Sequence, residues 1–472
     1  MHVSLSRTMA VNLFIKLIVA VLTLEQFLAI NWDIADRCFC KLKGEIDDCS
    51  CKVETLDLFN NNKVYPRLKS LLARNYFKYF RVNLKKGCPF WPEDSRCIVR
   101  DCHVDVCSEN EVPIKTKLAE DDQEVHKNKY SKESITIDEN KEKCAMEKEL
   151  GALDSTITDE KRTDFQTWLQ HDESLPLFCE LDDEDSSDLE YVDLHRNPER
   201  YTGYKGSSAH RIWKSIYEEN CFRPENNLND GQLPSTHYGS DVSLDSDMCL
   251  EKRVFYHLVS GLHTSINIHL SDQYLFQAKA GFGASTWDHN LNEFLFRFDP
   301  EITNGQGPQR LRNLYFAYLI ELRALAKATP YLTQEDFYTG DQTEDADLKE
   351  GISNLLNLIK SFPDHFNEKK LFKTNTKAKR QLKAQFVQHF QNISRIMDCV
   401  ECDKCRLWGK LQVLGMGTAL KILFSGDSIK NKSFHLTRTE VVALFNAFGR
   451  LSSSIYAIET FRKLAGKPIQ NI

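Results

Sequence analysis

Three features that would assign this 472-residue chain to common functional classes are missing from its sequence. The formal net charge is only -7, and no basic cluster or ladder of aromatic residues marks a nucleic-acid surface. No period-two strand pattern and no strand-glycine-helix phosphate fingerprint occurs, which argues against a Rossmann dinucleotide domain. Beyond the N-terminal segment, no stretch reaches the roughly 18 apolar residues that span a bilayer. We therefore expect a soluble mature chain that binds no nucleic acid.

The N-terminal segment is apolar from Val11 to Thr23 and follows Arg7. Despite Lys16, this pattern is typical of a secretory signal. We expect a signal peptide over residues 1–29, with cleavage near Ala29, and one domain over residues 30–472.

Fifteen cysteines are what the sequence has in abundance. In an oxidising lumen such usage normally means disulfides, and the odd count leaves at least one thiol unpaired or exchanging. Near the N-terminus the spacing suits two nested bridges around a tight turn, a structural staple formed by Cys38, Cys40, Cys49 and Cys51. Two sequons, at Asn392 and Asn431, are candidate glycan acceptors in this compartment.

A second group of cysteines lies in a polar stretch. Cys97, Cys102 and Cys107 are evenly spaced, and the residues from Ser108 to Lys143 are charged and poor in large apolar side chains before Cys144. Such a segment buries too little surface to offset its ordering entropy, so we expect a flexible loop over residues 92–145. Two interpretations stay open at this point, a disulfide-tied surface loop and a swinging dithiol carrier.

Most of the remaining chain shows apolar residues at helical spacing, which is typical of buried faces of packed helices. One such stripe begins after Gly307-Pro308 and is expected to end near Pro330. The stripes are Leu250, Val254, Leu258, Leu262, Ile266 and Leu270; Leu311, Leu314, Tyr318, Leu322 and Leu325; Leu382, Phe386, Phe390, Ile393 and Met397; and Val441, Leu444, Phe448, Leu451, Ile455 and Ile458. The sequence predicts a mainly α fold with a single helical core and a cysteine-rich N-terminal cap.

The run Cys399-Val-Glu-Cys402-Asp-Lys-Cys405 carries the clearest chemistry. Cys402 and Cys405 precede an apolar helix pattern, so both sulfurs should lie in or near its first turn, where the helix dipole, Lys404 and Arg406 favour thiolate. A thiolate attacks disulfides and can add to an electrophilic flavin.

Three alternatives to a redox pair remain. The cysteines could form a structural disulfide, or Cys399, Cys402 and Cys405 with one further ligand could bind zinc or an iron-sulfur cluster. The third is a secreted cysteine-rich binding module without a cofactor.

Three motifs of this sequence resemble those of one protein family. The run from Cys399 through Arg406-Leu-Trp-Gly-Lys-Leu-Gln412, together with Asn197-Pro-Glu-Arg-Tyr-Thr-Gly-Tyr204 and Gly261-Leu-His-Thr-Ser-Ile266, closely resembles the endoplasmic oxidoreductins of animals. The resemblance extends from Cys38 to the C-terminus, with several long motifs in the family's order.

The resemblance implies a flavin-dependent thiol oxidase with FAD bound inside a helical bundle. Cys402 with Cys405 matches the inner dithiol beside the flavin. Cys97 with Cys102 matches the outer dithiol, which takes electrons from protein disulfide isomerase. Oxygen is the implied final acceptor, giving hydrogen peroxide. The implied location is the lumen of the endoplasmic reticulum, where peripheral association with the membrane is possible, and a monomer is expected.

Seven flavin contacts are implied by the same resemblance, and each makes chemical sense. Guanidinium groups complement a diphosphate and can hold negative charge on a reduced flavin, while an indole or an imidazole offers a flat face for stacking. Ser260 and His263 are neighbours on one helix face. The implied contacts are Arg200, Thr202, Trp213, Ser260, His263, Arg310 and Arg323.

Disulfide pairing is also carried by the resemblance. It implies structural bridges from Cys88 to Cys399 and from Cys221 to Cys249. It further implies a switched-off state in which Cys97 bonds to Cys144 and Cys102 to Cys107, so that Cys107 and Cys144 are regulatory. Cys179 is then the leftover thiol.

Two departures from the family pattern concern charge and retention. Asp403 stands inside the inner pair, where a carboxylate would disfavour thiolate. No retention tetrapeptide closes the chain, which ends Pro468-Ile-Gln-Asn-Ile472, so retention in the lumen should either depend on partners or fail.

Overall fold

The computed structural model describes residues 38–40, 49–88, 102–117, 188–199, 212–213, 215–216, 250–276, 286–303, 305–362, 386, 389–425 and 434–466. Most of these residues are helical, and one hydrophobic cluster runs through them. The expectation of a mainly α fold with a helical core is confirmed.

Within these ranges the chain begins with β1 (Cys38–Cys40), β2 (Cys49–Lys52), α1 (Val53–Phe59), a π-helical turn (Asn60–Val64), α2 (Tyr65–Leu72), α3 (Asn75–Lys78) and β3 (Tyr79–Val82). The middle comprises β4 (Glu190–Asp193), α4 (Leu250–Asp272), β5 (Tyr274–Phe276), β6 (Thr286–Asp288) and α5 (Leu291–Phe298). Four helices complete it, α6 (Gln306–Leu332), α7 (Gln342–Lys360), α8 (Asp403–Phe424) and α9 (Arg438–Leu464).

Polar residues mark where the helices begin. Thr437 and Glu440 form a capping box at the start of α9, each side chain bonding the other's backbone N–H. The Asn290 side chain accepts from the Glu293 N–H at the start of α5, and Asp341 accepts from two N–H groups at the start of α7. These contacts satisfy N–H groups that the helix itself leaves without a partner.

The helical core depends on two close approaches. Gly261 of α4 lies against α6, where an added Cβ would overlap the Asn313 carbonyl oxygen and the Ala317 side chain. Gly415 of α8 lies in the same way against Ala443 and Ala447 of α9. Only glycine lets the backbones approach this closely, so these two crossings fix how the four long helices pack.

The predicted apolar stripes are buried wherever the structure describes their side chains. Helix α6 continues through Pro330 to Leu332, two residues beyond the predicted end. Helix α9 is long and apolar enough to cross a membrane, but 78% of its most apolar window is buried inside the protein. It is therefore a core helix. Leu382 lies outside the described residues.

The described strands form three two-stranded antiparallel sheets. Each strand has only three or four residues, too short for a period-two pattern to show in the sequence. In the first sheet Cys40 lies opposite Cys49 and Phe39 opposite Cys51. This register brings the four N-terminal cysteines into one hairpin, and their bonding stays a prediction.

The second sheet receives part of the predicted flexible loop. Val106 forms an isolated bridge to Val192 of β4, and the Cys107 N–H donates to the Tyr191 carbonyl at 2.8 Å. Cys102, Val104 and Val112 are buried. Backbone hydrogen bonds to the β4 edge and three buried side chains offset part of the ordering entropy of residues 102–117. The flexible loop over 92–145 stays a prediction. We call residues 102–107 the outer arm.

A buried polar network joins the ends of the described chain. The Tyr315 hydroxyl donates to Asp57 Oδ1 at 2.5 Å, and Arg462 forms an ion pair with the same carboxylate. These residues belong to α6, α1 and α9, so one carboxylate connects three helices.

Candidate active site

The inner dithiol lies at the start of helix α8. Cys402 is the N-cap residue, and its Sγ accepts from the Cys405 N–H at an N–S distance of 3.3 Å. Both side chains are 0% exposed. The prediction that both sulfurs lie at a helix N-terminus agrees with this geometry, and the N–H contact and the dipole both favour thiolate.

The two basic neighbours of the pair, Lys404 and Arg406, have different surroundings. Lys404 is buried in the first turn of α8. Arg406 instead donates to three backbone carbonyls, those of Val400, Leu84 and Lys86. The sequence-based expectation that Arg406 stabilises thiolate is therefore replaced by a structural role, holding the chain before Cys88 against the start of α8.

Two further connections reinforce that anchor. Cys88 and Cys399, 311 residues apart, form a disulfide with a Cα–Cα distance of 4.3 Å. Lys410 forms a buried ion pair with Asp398 at 2.5 Å and donates to the Asn83 carbonyl at 3.4 Å. Because the Cys399 sulfur is bonded to the Cys88 sulfur, it is not available as a thiolate ligand to a metal. A zinc or iron-sulfur site at Cys399, Cys402 and Cys405 would therefore lack one of its three cysteine ligands.

The outer arm carries one member of the expected outer pair. Cys102 is 2% exposed and disulfide-bonded. Its partner is not Cys107, which carries a thiol. The arrangement therefore differs from the switched-off state that the resemblance implied for Cys102. Cys97 and Cys144 lie outside the described residues.

Cys107 lies half-buried against Arg196. The Arg196 Nη2 donates to Cys107 Sγ at 3.4 Å, and its Nη1 pairs with Glu111 at 3.0 Å. Burial raises the pKa of the Cys107 thiol, and the Arg196 contact partly opposes that rise. Cys107 is therefore held as a thiol that reacts slowly at neutral pH.

Asn197 connects the outer arm to the inner helix. Its side chain accepts from the Asp105 N–H at 2.7 Å and donates to the Asp105 carbonyl at 2.8 Å. Its own carbonyl accepts from the Trp408 indole N–H at 2.8 Å. One buried residue thus contacts both cysteine-bearing segments.

Three of the implied flavin contacts meet between α4 and neighbouring segments. The Trp213 and His263 rings stack, with centroids 3.6 Å apart and planes 10° apart. On α4, Ser260 Oγ accepts from Asn313 Nδ2 at 2.9 Å, and the Asn313 Oδ1 lies 2.5 Å from His257 Nδ1. The close crossing at Gly261 brings these groups together.

Positive charge surrounds the His263 end of this region. Arg310 donates to the Arg297 carbonyl at 3.0 Å, and Arg297 pairs with Glu293 at 2.6 Å. Burial, Arg310 and Arg297 together hold the pKa of His263 well below its usual value, so the imidazole is neutral at pH 7. Arg323 lies half-buried on α6.

This donor set fits a flavin dinucleotide. Arginine guanidinium groups match a diphosphate, and the stacked indole and neutral imidazole offer apolar flat faces. Arg310, Arg323, Trp213, Ser260 and His263 are the described candidates to hold it. Arg200, Thr202, Cys221, Cys249, Cys179 and the sequon at Asn431 lie outside the described residues.

The sequon at Asn392 falls in the helical residues 389–397, where its side chain is 0% exposed. A glycan on Asn392 would require this segment to pack differently, because a bulky sugar chain needs an exposed side chain. Glycosylation at Asn392 stays a prediction.

Several residues of this site were not identified from the sequence. Asn197 had a signal, since it opens a quoted motif, but nothing in the motif indicated its two partners. Lys410 also lies in a quoted motif, which did not indicate its partner Asp398. Asn313 had no sequence signal, because its partners Ser260 and His257 are distant along the chain.

Several known proteins are similar to this chain. The family model for Endoplasmic Reticulum Oxidoreductin 1 (ERO1) matches residues 63–458. ERO1-like protein alpha of Bos taurus is 49% identical over 453 residues, covering 93% of each chain. Ero1-like protein of Drosophila melanogaster is 48% identical over 450 residues, covering 91% of each. The solved structure of Ero1p, described as a source of disulfide bonds for oxidative protein folding in the cell, is similar with a TM-score of 0.54. It is 30% identical, and the match covers 88% of this chain and 99% of that one.

Proposed function

Because this chain belongs to the endoplasmic reticulum oxidoreductin family, we propose that it is an FAD-dependent protein thiol oxidase that makes disulfides de novo. The substrate is the reduced dithiol of protein disulfide isomerase, and the products are its disulfide and hydrogen peroxide. The family supports the coarser statement that the chain is an oxidoreductase. The residue roles below belong to the proposal.

The relay consists of two exchange steps. A thiolate of the isomerase attacks the Cys97–Cys102 disulfide, and the resulting mixed disulfide is resolved by the second isomerase thiol, which leaves Cys97 and Cys102 reduced. The outer dithiol then reduces a Cys402–Cys405 disulfide in the same way. Each step moves two electrons and two protons from one dithiol to the next.

The helix start of α8 supplies what the inner pair needs. The Cys405 N–H donates to Cys402 Sγ and the helix dipole favours negative charge, so the pair can carry a thiolate although both side chains are fully buried. Burial keeps a folded isomerase away from the inner pair, so electrons from the isomerase enter through the outer arm. FAD, when bound, accepts the two electrons and passes them to oxygen.

The observation that carries the proposal is this dithiol at the N-terminus of a buried helix, joined through the Cys88–Cys399 disulfide to the chain that leads toward the outer pair. A purely structural Cys402–Cys405 disulfide would explain this arrangement equally well only if no second dithiol could reach it. The Asn197 contacts hold the outer arm against the same helix.

We place the protein in the lumen of the endoplasmic reticulum, where the family name locates its members. Peripheral association with the luminal membrane face and a monomeric state are part of the same proposal. A switched-off state with the regulatory bonds Cys97–Cys144 and Cys102–Cys107 belongs to the same proposal, as an alternative to the arrangement in which Cys107 carries a thiol.

Cys405→Ala tests the proposal directly. The purified variant should keep its yellow flavin, because other residues build that pocket, while oxygen uptake driven by reduced isomerase falls to background. Cys179→Ala, which removes a cysteine outside the relay, is the matched control and should keep normal oxygen uptake. Retained turnover in Cys405→Ala would end the inner-pair assignment, and a colourless unmodified protein would end the flavoprotein proposal.

A further inference from the structure

The Asn197 side chain forms hydrogen bonds with two segments, the outer arm and strand β4. Its side chain is 0% exposed, and its amide forms a two-way pair with the backbone of Asp105, at 2.7 and 2.8 Å. The same Nδ2 also donates to the Asp193 carbonyl at 2.9 Å, on the edge strand β4. An amide side chain can accept from the backbone N–H and donate to the backbone C=O of one residue at the same time, as Asn197 does with Asp105.

The partner in the outer arm is backbone alone. The Asp105 side chain is exposed, so Asn197 holds the path of the chain rather than a particular residue. Asp105 is three residues after Cys102, and the Cys102 side chain is buried on the same arm. Fixing the Asp105 peptide therefore restricts where the Cys102 sulfur can lie.

The other side of Asn197 faces the inner helix. The Trp408 indole N–H donates to the Asn197 carbonyl at 2.8 Å. Trp408 is three residues after Cys405 on α8, so the two side chains lie on one helix face. Hydrogen bonds thus connect Asp105, three residues after Cys102, through Asn197 to Trp408, three residues after Cys405.

We propose that Asn197 is a positioning residue for dithiol exchange, which holds the outer arm at a fixed place against the helix that carries Cys402 and Cys405. This inference rests on the proposed function. Exchange between two protein dithiols needs the attacking sulfur within bonding reach of the disulfide, and holding both partners in place raises their effective concentration. Asn197 touches no sulfur, so its effect is on transfer between the pairs and not on the inner pair's reaction with flavin.

The experiment compares two reductants. Asn197→Ala is assayed with reduced protein disulfide isomerase, which needs the outer arm, and with dithiothreitol at concentrations that reduce the inner pair directly. Turnover with the isomerase should fall about tenfold, as expected for loss of the paired amide contact, while turnover with dithiothreitol stays within about twofold of normal. Asp105→Ala, which keeps the backbone contacts, is the matched control and should behave as the unmodified protein. Cys97→Ala with Cys102→Ala gives the lower limit of isomerase turnover.

Hydrogen exchange supplies a readout that does not depend on catalysis. In the full-length holoenzyme, amide exchange in residues 103–107 should rise at least tenfold in Asn197→Ala and stay unchanged in Asp105→Ala. If Asn197→Ala loses flavin, the same measurements are made on Trp408→Phe, which keeps an aromatic ring but removes the indole N–H donor to Asn197 and should lower isomerase turnover selectively.

Equal loss with both reductants would make Asn197 a general structural residue and overturn the inference, as would unchanged isomerase turnover. Absence of oxygen uptake in the unmodified protein with either reductant would instead contradict the proposed function. The two failures are therefore distinguishable.

Discussion

The Trp213 indole and the His263 imidazole stack with ring centroids 3.6 Å apart. That separation is the thickness of one aromatic ring, so no third ring fits between them. A flat cofactor would have to lie on an outer face of this stack or separate the two rings. Trp213 is 8% exposed and belongs to the hydrophobic core, and His263 projects from α4 near two arginines.

Trp213→Ala tests whether this stack holds flavin. We expect flavin affinity to fall about tenfold, because an aromatic pair contributes roughly 0.5–1.5 kcal/mol beyond area burial. Trp213→Phe should retain more of it, since one flat face remains. Titration of the apoprotein with FAD, followed by flavin fluorescence, measures the difference. Unchanged affinity in Trp213→Ala would remove this residue from the cofactor site.

The lowered pKa of His263 predicts a dependence of stability on pH. The folded protein holds this imidazole neutral, whereas the unfolded chain binds a proton near pH 6.5, so its contribution is present above pH 6.5 and is lost as the pH falls below it. The loss at pH 5.5 is about 1 kcal/mol. Urea unfolding at pH 7.5 and pH 5.5 should show a smaller loss in His263→Asn than in the unmodified protein. An identical loss in both would contradict the prediction.

Removing one partner of the Asp57–Arg462 ion pair should destabilise the fold more than removing both charges. Arg462→Ala leaves a largely buried carboxylate that still accepts from Tyr315, and should cost about 3 kcal/mol of unfolding free energy. Asp57→Asn combined with Arg462→Met removes both charges and should cost less than Arg462→Ala alone. Thermal or urea unfolding measures each. A double variant less stable than Arg462→Ala would show that the pair itself is strongly stabilising.

Asp403 predicts an effect on the reactivity of the inner thiols. It is the first residue of α8, between Cys402 and Cys405 in sequence, and it is half-buried. Removing its charge should lower the pKa of the inner thiols by a fraction of a unit up to about one unit, and so speed alkylation at neutral pH. The pH profile of alkylation of the denaturant-free reduced protein measures this for Asp403→Asn. Glu401→Gln, which lies before the helix, is the control, and equal shifts in both variants would indicate a general charge effect.

Cys107 and Cys144 predict a regulatory lag. Replacing both by alanine should remove the lag before oxygen uptake and raise the initial rate, because Cys97 and Cys102 then have only each other as partners within this group. The fold should be retained, since the Cys107 side chain bonds Arg196 without a disulfide in the structure. An oxygen electrode trace with reduced isomerase is the measurement. An unchanged lag in a folded double variant would exclude the switch and leave the oxidase proposal in place.

Helical periodicity alone determined the core of this protein. Val254, Leu258 and Leu262 are buried as their four-residue spacing predicted, because a helix places such residues on one face whatever it packs against. The placement of Cys402 and Cys405 at a helix start was likewise local information, carried by the apolar pattern that follows them.

Tertiary structure decided what each polar side chain contacts. In the sequence, Arg406 and Lys404 were equally good candidates to stabilise a thiolate at the inner pair. In the structure, Arg406 donates to the backbone carbonyls of Leu84 and Lys86. Asn197 contacts Asp105 and Trp408, which lie 92 and 211 residues away. Composition predicted flexibility for the outer arm because it counts only the segment's own apolar residues. The β4 edge, which supplies the missing hydrogen bonds, enters only when the chain has folded.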